Sequence, residues 1–141
     1  MSHENVELHR RANEAFNTRD VEAYLAFCDP DIELRSAVTG PGPAVYYRHS
    51  GVRRWHRDLT EAFGGDVRLE PEAFFDLGEH TVTFHVLHGR GLQSGANVQT
   101  PAAHVCRWRD GRIVYFKGYV HRQDALSDLG VSVDALEPIA P

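Results

Sequence analysis

Cysteine, positive charge and long apolar runs are all scarce in this sequence. Cys28 and Cys106 are the only cysteines among 141 residues. They form no CxxC and no paired spacing, so neither a disulfide framework nor a zinc motif is supported, and both are expected to be reduced and partly buried. Lys and Arg number 15 against 20 Asp and Glu, a formal charge of -5. Such a field repels nucleic acid, and the local run Arg53, Arg54, Arg57 reads as the solvated face of a helix. The opening "MSHENVELHRR" lacks an apolar signal region, and no stretch approaches the roughly 18 apolar residues of a membrane helix. No membrane partner and a cytoplasmic location are the default expectations.

What is present suits one globular domain: 42% apolar and 25% charged residues, in a chain long enough to bury roughly 70% of its unfolded surface. Residues 1–130 are assigned to the domain and 131–141, "VSVDALEPIAP", to a loosely held tail. Ser2 is a candidate N-cap for a first helix whose apolar face carries Val6, Leu8, Ala12, Ala15 and Phe16. Asp20 caps a second, with Val21, Tyr24, Leu25 and Cys28 at helical spacing before Pro30. "DIELRS" alternates as a strand, and "AVTGPGPAVYYRHSG" reads as a long loop. Ser50 then caps a third helix with the stripe Val52, Trp55, His56, Leu59 and Phe63, stopped by Gly64-Gly65.

From Asp66 the period falls to two. "VRLEPEAFFDLG", "HTVTFHVLHGRG", "VQTPAAHVCRWRDG" and "RIVYFKGYVH" read as an antiparallel meander whose last turn is Asp110-Gly111. "RQDALSDLG" adds a short helix ended by Gly130. Helices first and a long sheet afterwards is an α+β layout, with the helices on one sheet face. The other face stays partly exposed unless a second subunit covers it, which makes a homodimer through the outer sheet face the economical expectation.

These segments resemble a known family. The helix pair "NEAFNTRDVEAYLAFCDPDIEL", the segment "YYRHSGVRRWHRDLTEAF", the strands "FFDLGEHTVTFHVLHGRGLQSG" and the ending "WRDGRIVYFKGYVHRQDALSDLG" are similar to the SnoaL-like branch of the nuclear transport factor two-like superfamily. The resemblance implies a cone-shaped, strongly curved, mostly antiparallel sheet covered by N-terminal helices and enclosing an apolar pocket, frequently in a dimer. That superfamily includes polyketide cyclases, ketosteroid isomerases, dehydratases, epoxide hydrolases and members that only bind or dimerise. Relatives commonly end the last strand in Arg-Glu-Tyr-x-Asp. Here the place is held by Lys117-Gly118-Tyr119-Val120-His121, so both acidic positions are lost.

Nine histidines raise the question of a metal. His85 and His88 lie three apart on a strand and point to opposite faces, and His104 could meet His121 only through sheet pairing, so no metal site and no cofactor are expected. Histidine still does proton chemistry near neutral pH. One reading therefore makes His121 or His104 a general acid/base acting α to a carbonyl of a small apolar compound, with Tyr119, Tyr46 or Tyr47 holding the enolate oxygen. This is cofactor-free cyclase or isomerase chemistry. In the alternative, His121 is a junction residue that caps the strand end or helix, and the chain is a non-catalytic small-molecule-binding or dimerisation module. Trp55, His56, Phe75, Phe84, Val86 and Phe116 are candidates to line the pocket or to be plain core. Arg107 is expected to need a carboxylate such as Glu33 or Glu70, or a ligand, if it faces inward.

With Asp110-Gly111 as a two-residue turn, His104 is expected opposite Lys117 and Ala102 opposite Tyr119. His104, Cys106, Trp108, Ile113, Tyr115, Lys117, Tyr119 and His121 then share one face, unless a bulge exchanges the faces midway.

Overall fold

The change of period near Asp66 separates two kinds of structure. The computed structural model describes residues 3–38, 44–90 and 95–141, so the Ser2 cap lies outside the described residues. Helix α1 (Glu4–Asn17) buries Val6, His9, Ala12, Asn13 and Phe16 on one face. Asp20 caps α2 (Val21–Leu25), its carboxylate accepting the Glu22 N–H at 3.0 Å. Cys28 does not extend that helix: it opens strand β1 (Cys28–Ser36). The stretch read as a long loop contains β2 (Ala44–Tyr47), while 39–43 lie outside the described residues. Helix α3 (Arg48–Phe63) starts before Ser50, with Tyr47 at its N-cap, and buries Val52, Trp55 and Leu59. Its stop is Gly64 at φ +84°, a conformation that glycine adopts without a Cβ clash.

The meander is β3 (Arg68–Leu77), β4 (His80–Arg90), β5 (Asn97–Arg109) and β6 (Arg112–Tyr119). The whole sheet runs β2-β1-β6-β5-β4-β3 and is open, with β2 and β3 at its edges. All pairings are antiparallel except β1 with β6. The architecture is therefore α+β with a mostly antiparallel six-stranded sheet. A glycine near the end of β4 fixes how closely α3 can lie: a Cβ on Gly89 would stand 2.7 Å from Phe63 Cβ and 2.9 Å from Phe63 O. Gly89→Ala is expected to cost about 1–3 kcal/mol through overpacking, measured by urea unfolding.

The last hairpin departs from simple counting. Near the turn Arg109 faces Arg112 and Trp108 faces Ile113, but Arg107 then faces Tyr115 and His104 faces Gly118. Val114 is the extra residue of a β-bulge. Beyond it Phe116 and Gly118, not Lys117 and Tyr119, share the face of His104 and Cys106.

Each face has its own core. Helices α1–α3 cover the face that carries Leu87, Cys106, Trp108, Ile113 and Phe116. The outer face carries Phe75, Val82, Ala103 and Val105, and is partly covered by Ala125 and Leu126 of helix α4 (Arg122–Asp128) together with Leu129, Val131 and Leu136. The tail expected to be loose is stitched to the sheet: Phe74 and Ile139 exchange backbone hydrogen bonds of 2.9 and 2.7 Å, and Arg10 donates to Ala140 O at 3.0 Å. No helix among the described residues is long and apolar enough to cross a membrane.

Candidate functional site

Strand parity and the bulge together decide which side chains meet beneath the helices. On β4, Thr81, Thr83, His85 and Leu87 point toward α1 and α3. On β5, Ala102, His104, Cys106 and Trp108 do so. Since His104 pairs with Thr83 and Ala102 with His85, His85 and His104 are diagonal neighbours, and their ring centroids lie 4.2 Å apart. Phe116 closes on the other edge of His104 at 4.4 Å, and Trp55 packs on Phe116 at 5.5 Å.

Around them lies a chamber of about 30 Å³, walled by Phe16, Trp55, Leu59, Leu69, Leu87 and Phe116, with the two imidazoles, Gly118 and Tyr119 completing it. That is room for roughly one water-sized group. A second, open recess of about 500 Å³ adjoins it, lined by Arg35, Lys117, Tyr119, Val120, His121 and Asp128 among others. The two spaces share Ser36, Ala37, Gly118 and Tyr119.

The electrostatics of the chamber follow from burial. His104 is held well below the ordinary histidine value by desolvation, with His85 and His9 adding repulsion between charged forms. His85 falls to about 4, again mainly by desolvation, with the Arg122 guanidinium adding to it. Both rings are neutral at pH 7. Nδ1 of each is buried and has no hydrogen-bond partner among the described residues, an uncommon condition for buried polar atoms.

A third ring, fully buried, sits beside them under different conditions. His9 is hydrogen-bonded through Nδ1 to Thr81 Oγ1 (2.7 Å) and through Nε2 to Thr83 Oγ1 (2.8 Å), and Trp108 Nε1–H donates to the same Thr81 oxygen at 2.8 Å. Burial, with His85 nearby, lowers His9 to about 3. One of its nitrogens donates and the other accepts, so this ring is satisfied and structural. The histidines do not form a metal cage: no group of three or more His, Cys, Asp or Glu among the described residues has that geometry. Cys106 beside His9 and Cys28 are both buried, and desolvation pushes their thiols up, Cys28 to about 12, so neither is a reactive thiolate.

The residues singled out from sequence are distributed unevenly. His104, Trp55 and Phe116 are brought together in the chamber. Tyr119 stands on the shared wall, its hydroxyl donating to Asp128 Oδ2 at 2.7 Å, and desolvation with that hydrogen bond raises its pKa. His121 is exposed in the recess, at the N-cap of α4 but without a side-chain capping bond. It does not reach His104. Tyr46 is buried among the helices and donates to Asp58 at 2.7 Å, away from the chamber walls, whereas Tyr47 is 57% exposed. His56 is half-buried at the edge of Phe16 (6.2 Å).

Parity places three residues expected to line the pocket on the opposite face of the sheet, where Phe84 walls an open recess of about 550 Å³ beside α4. Phe75 and Phe84 lie in the outer-face core, in edge contact at 4.9 Å, and Val86 shares that face of β4. None can line the chamber. Arg107 is likewise turned outward, exposed beside Glu79 at 3.7 Å; Glu33 and Glu70 serve Arg35 and His88 instead. Sequence reasoning missed His85 and His9. The available signal was polarity out of place: His9 and Asn13 sit three and seven residues after Val6, in the apolar stripe of α1, and Thr81, Thr83 and His85 form a polar row on the face that ends in Leu87.

Solved structures share this fold. A solved NTF2-like protein of unknown function from Burkholderia pseudomallei is 25% identical, with a TM-score of 0.75 over 90% of this chain and 97% of its own. The protein TerC, crystallised with polyporic acid, is 24% identical with a TM-score of 0.74 over 89% and 97%. A Xanthomonas campestris pv. campestris protein carrying a provisional polyketide cyclase name is 18% identical with a TM-score of 0.70 over 88% and 95%. No curated protein matches the chain. The SnoaL-like domain model matches residues 9–116, which takes in most of the sheet, the greater part of α1 and all of α2 and α3, and the chain therefore belongs to the SnoaL-like domain family.

Proposed function

We propose that this SnoaL-like protein binds a small, largely apolar molecule bearing one hydroxyl or carbonyl, with that group directed at His104. The observation that carries this reading is a neutral, half-buried imidazole in a largely apolar chamber, its Nδ1 enclosed without a hydrogen-bond partner among the described residues. A buried polar group without a partner costs about 1–3 kcal/mol, so a ligand that supplies one gains correspondingly. The adjoining recess has the volume for the body of such a molecule. Crystallisation of TerC with polyporic acid supports an organic ligand in this fold.

Binding is preferred over acid/base turnover because desolvation makes His104 a weak base. A lowered pKa reduces the driving force for taking a proton from carbon, and no carboxylate among the described residues lines the chamber to compensate. The provisional cyclase name of the Xanthomonas protein supports the enzymatic reading as the second choice.

Titration with phenol, 2-naphthol and hydrophobic ketones by calorimetry tests both. Saturable binding weakened about tenfold in His104→Phe, the worth of one hydrogen bond, is the expected result. Absence of saturable binding by every probe overturns the proposal. Catalysed deuterium exchange at the α-carbon of a ketone, lost in the same variant, would establish the enzymatic reading instead.

A further inference from the structure

Gly118 occupies a strand position where nothing in the fold demands glycine. Its φ lies outside the left-handed region, and an added Cβ would sit at ordinary contact distances: 3.5 Å from His104 Cδ2, 3.8 Å from His104 Nε2 and 3.9 Å from Arg35 O. The bulge in this hairpin is at Val114, four residues away. Glycine inside a strand weakens it, and where neither a bulge nor a tight backbone approach explains the residue, close approach of a ligand does. Its location fits that explanation. Gly118 is one of four residues shared by the chamber and the open recess, and it is paired directly with His104. The registered pairing of β1 with β6 ends at Arg35 and Lys117, immediately before it. Beside it, the Tyr119 hydroxyl and Lys117 Nζ are both tied to Asp128, at 2.7 and 3.1 Å, which leaves the bare glycine as the low point of the wall.

Accepting the binding reading above, we infer that Gly118 is the threshold across which a ligand in the recess reaches His104, and that it sets the specificity of the site. The ligand class follows from the shape. A flat group, such as the edge of a hydroxylated aromatic ring, can pass over a glycine and present its hydroxyl to the His104 ring, whose Cδ2–Nε2 edge the Cβ position overlooks at 3.5 and 3.8 Å. Bulky aliphatic alcohols are held in the recess.

The test compares the wild type with Gly118→Ala and Gly118→Val, using 2-naphthol as the probe and the 15N shifts of the His104 ring and the Lys117 and Val120 amides as readouts. Thermal unfolding verifies that each variant is folded, and alanine is included because its Cβ meets no close contact. In the wild type, ring and amides respond together. In Gly118→Val the His104 response weakens at least tenfold while the recess amides still respond, and Gly118→Ala lies between. An unchanged His104 response in a folded Gly118→Val protein overturns this inference and leaves the binding reading intact. No saturable response in the wild type overturns both.

Discussion

Lowering the pH from 7 to 5 is expected to remove about 4 kcal/mol of stability through His9 and His85. The buried rings of His9 and His85 bind protons only near pH 3 and 4, and His104 also well below its ordinary value, whereas in the unfolded chain all three titrate near 6.5. Between those limits the unfolded state carries more protons, so stability falls as pH falls, beginning at about 6.5 and levelling only below the folded values. His9 and His85 each contribute about 1.4 kcal/mol per pH unit, roughly 2 kcal/mol at pH 5, and His104 acts in the same direction. The two alone take a large share of the 5–15 kcal/mol typical of a domain. His56 and His80, half-buried, are shifted in the same direction by desolvation and add less. Urea unfolding at half-unit intervals measures the effect: the unfolding constant should rise with a slope of about two protons or more between pH 6 and 5. A slope below one would show that the rings are hydrated or charged in the folded protein.

The second large effect is expected from Arg122→Met. Arg122 reaches from the first turn of α4 to the sheet, donating from Nη2 to His85 O at 2.7 Å and from Nε to Ala102 O at 3.2 Å, pairing with Glu72 and covering the Phe84 ring. Pro71 stands opposite His85 in the β3–β4 pair, and proline has no N–H to offer across it. Methionine keeps the apolar stem but abandons two carbonyls. With charge-assisted bonds worth about 1.5–3 kcal/mol each and partial access of water, a loss of about 2–4 kcal/mol follows, or a fall in Tm of roughly 6–12 °C. Arg122→Lys should recover less than half, since an ammonium cannot span both carbonyls in a fixed fork. Full recovery by lysine would mean that charge alone holds the helix.

Local chemistry in the sequence was enough to place most elements. The stripe Val52, Trp55, Leu59 gave α3, the alternating strands gave the meander, and Asp110-Gly111 gave its last turn with positive φ at both residues. Ends and partners were less legible. Tyr47 begins α3 from an extended conformation, and Ser50 merely resembles a cap. The parallel pairing of β1 with β6 joins segments about eighty residues apart and leaves no local trace. Likewise, a tail of mixed composition gives no sign that Ile139 will hydrogen-bond to Phe74. The site was half legible: His104 was identified, but its neighbour His85 was dismissed with the metal hypothesis, and His121 drew attention for a junction that leaves it in solvent.

Val114 has the effect of a half-period phase slip written into one strand. On its turn side, odd-numbered Ile113 faces the helices; on its far side, even-numbered Phe116 and Gly118 do. Excision of this one residue, which touches neither imidazole, would rotate everything after it by one position. Lys117 and Tyr119 would be driven toward the chamber and Phe116 expelled from it. An unremarkable valine thereby determines whether the space beside His104 holds a glycine or a charged amine.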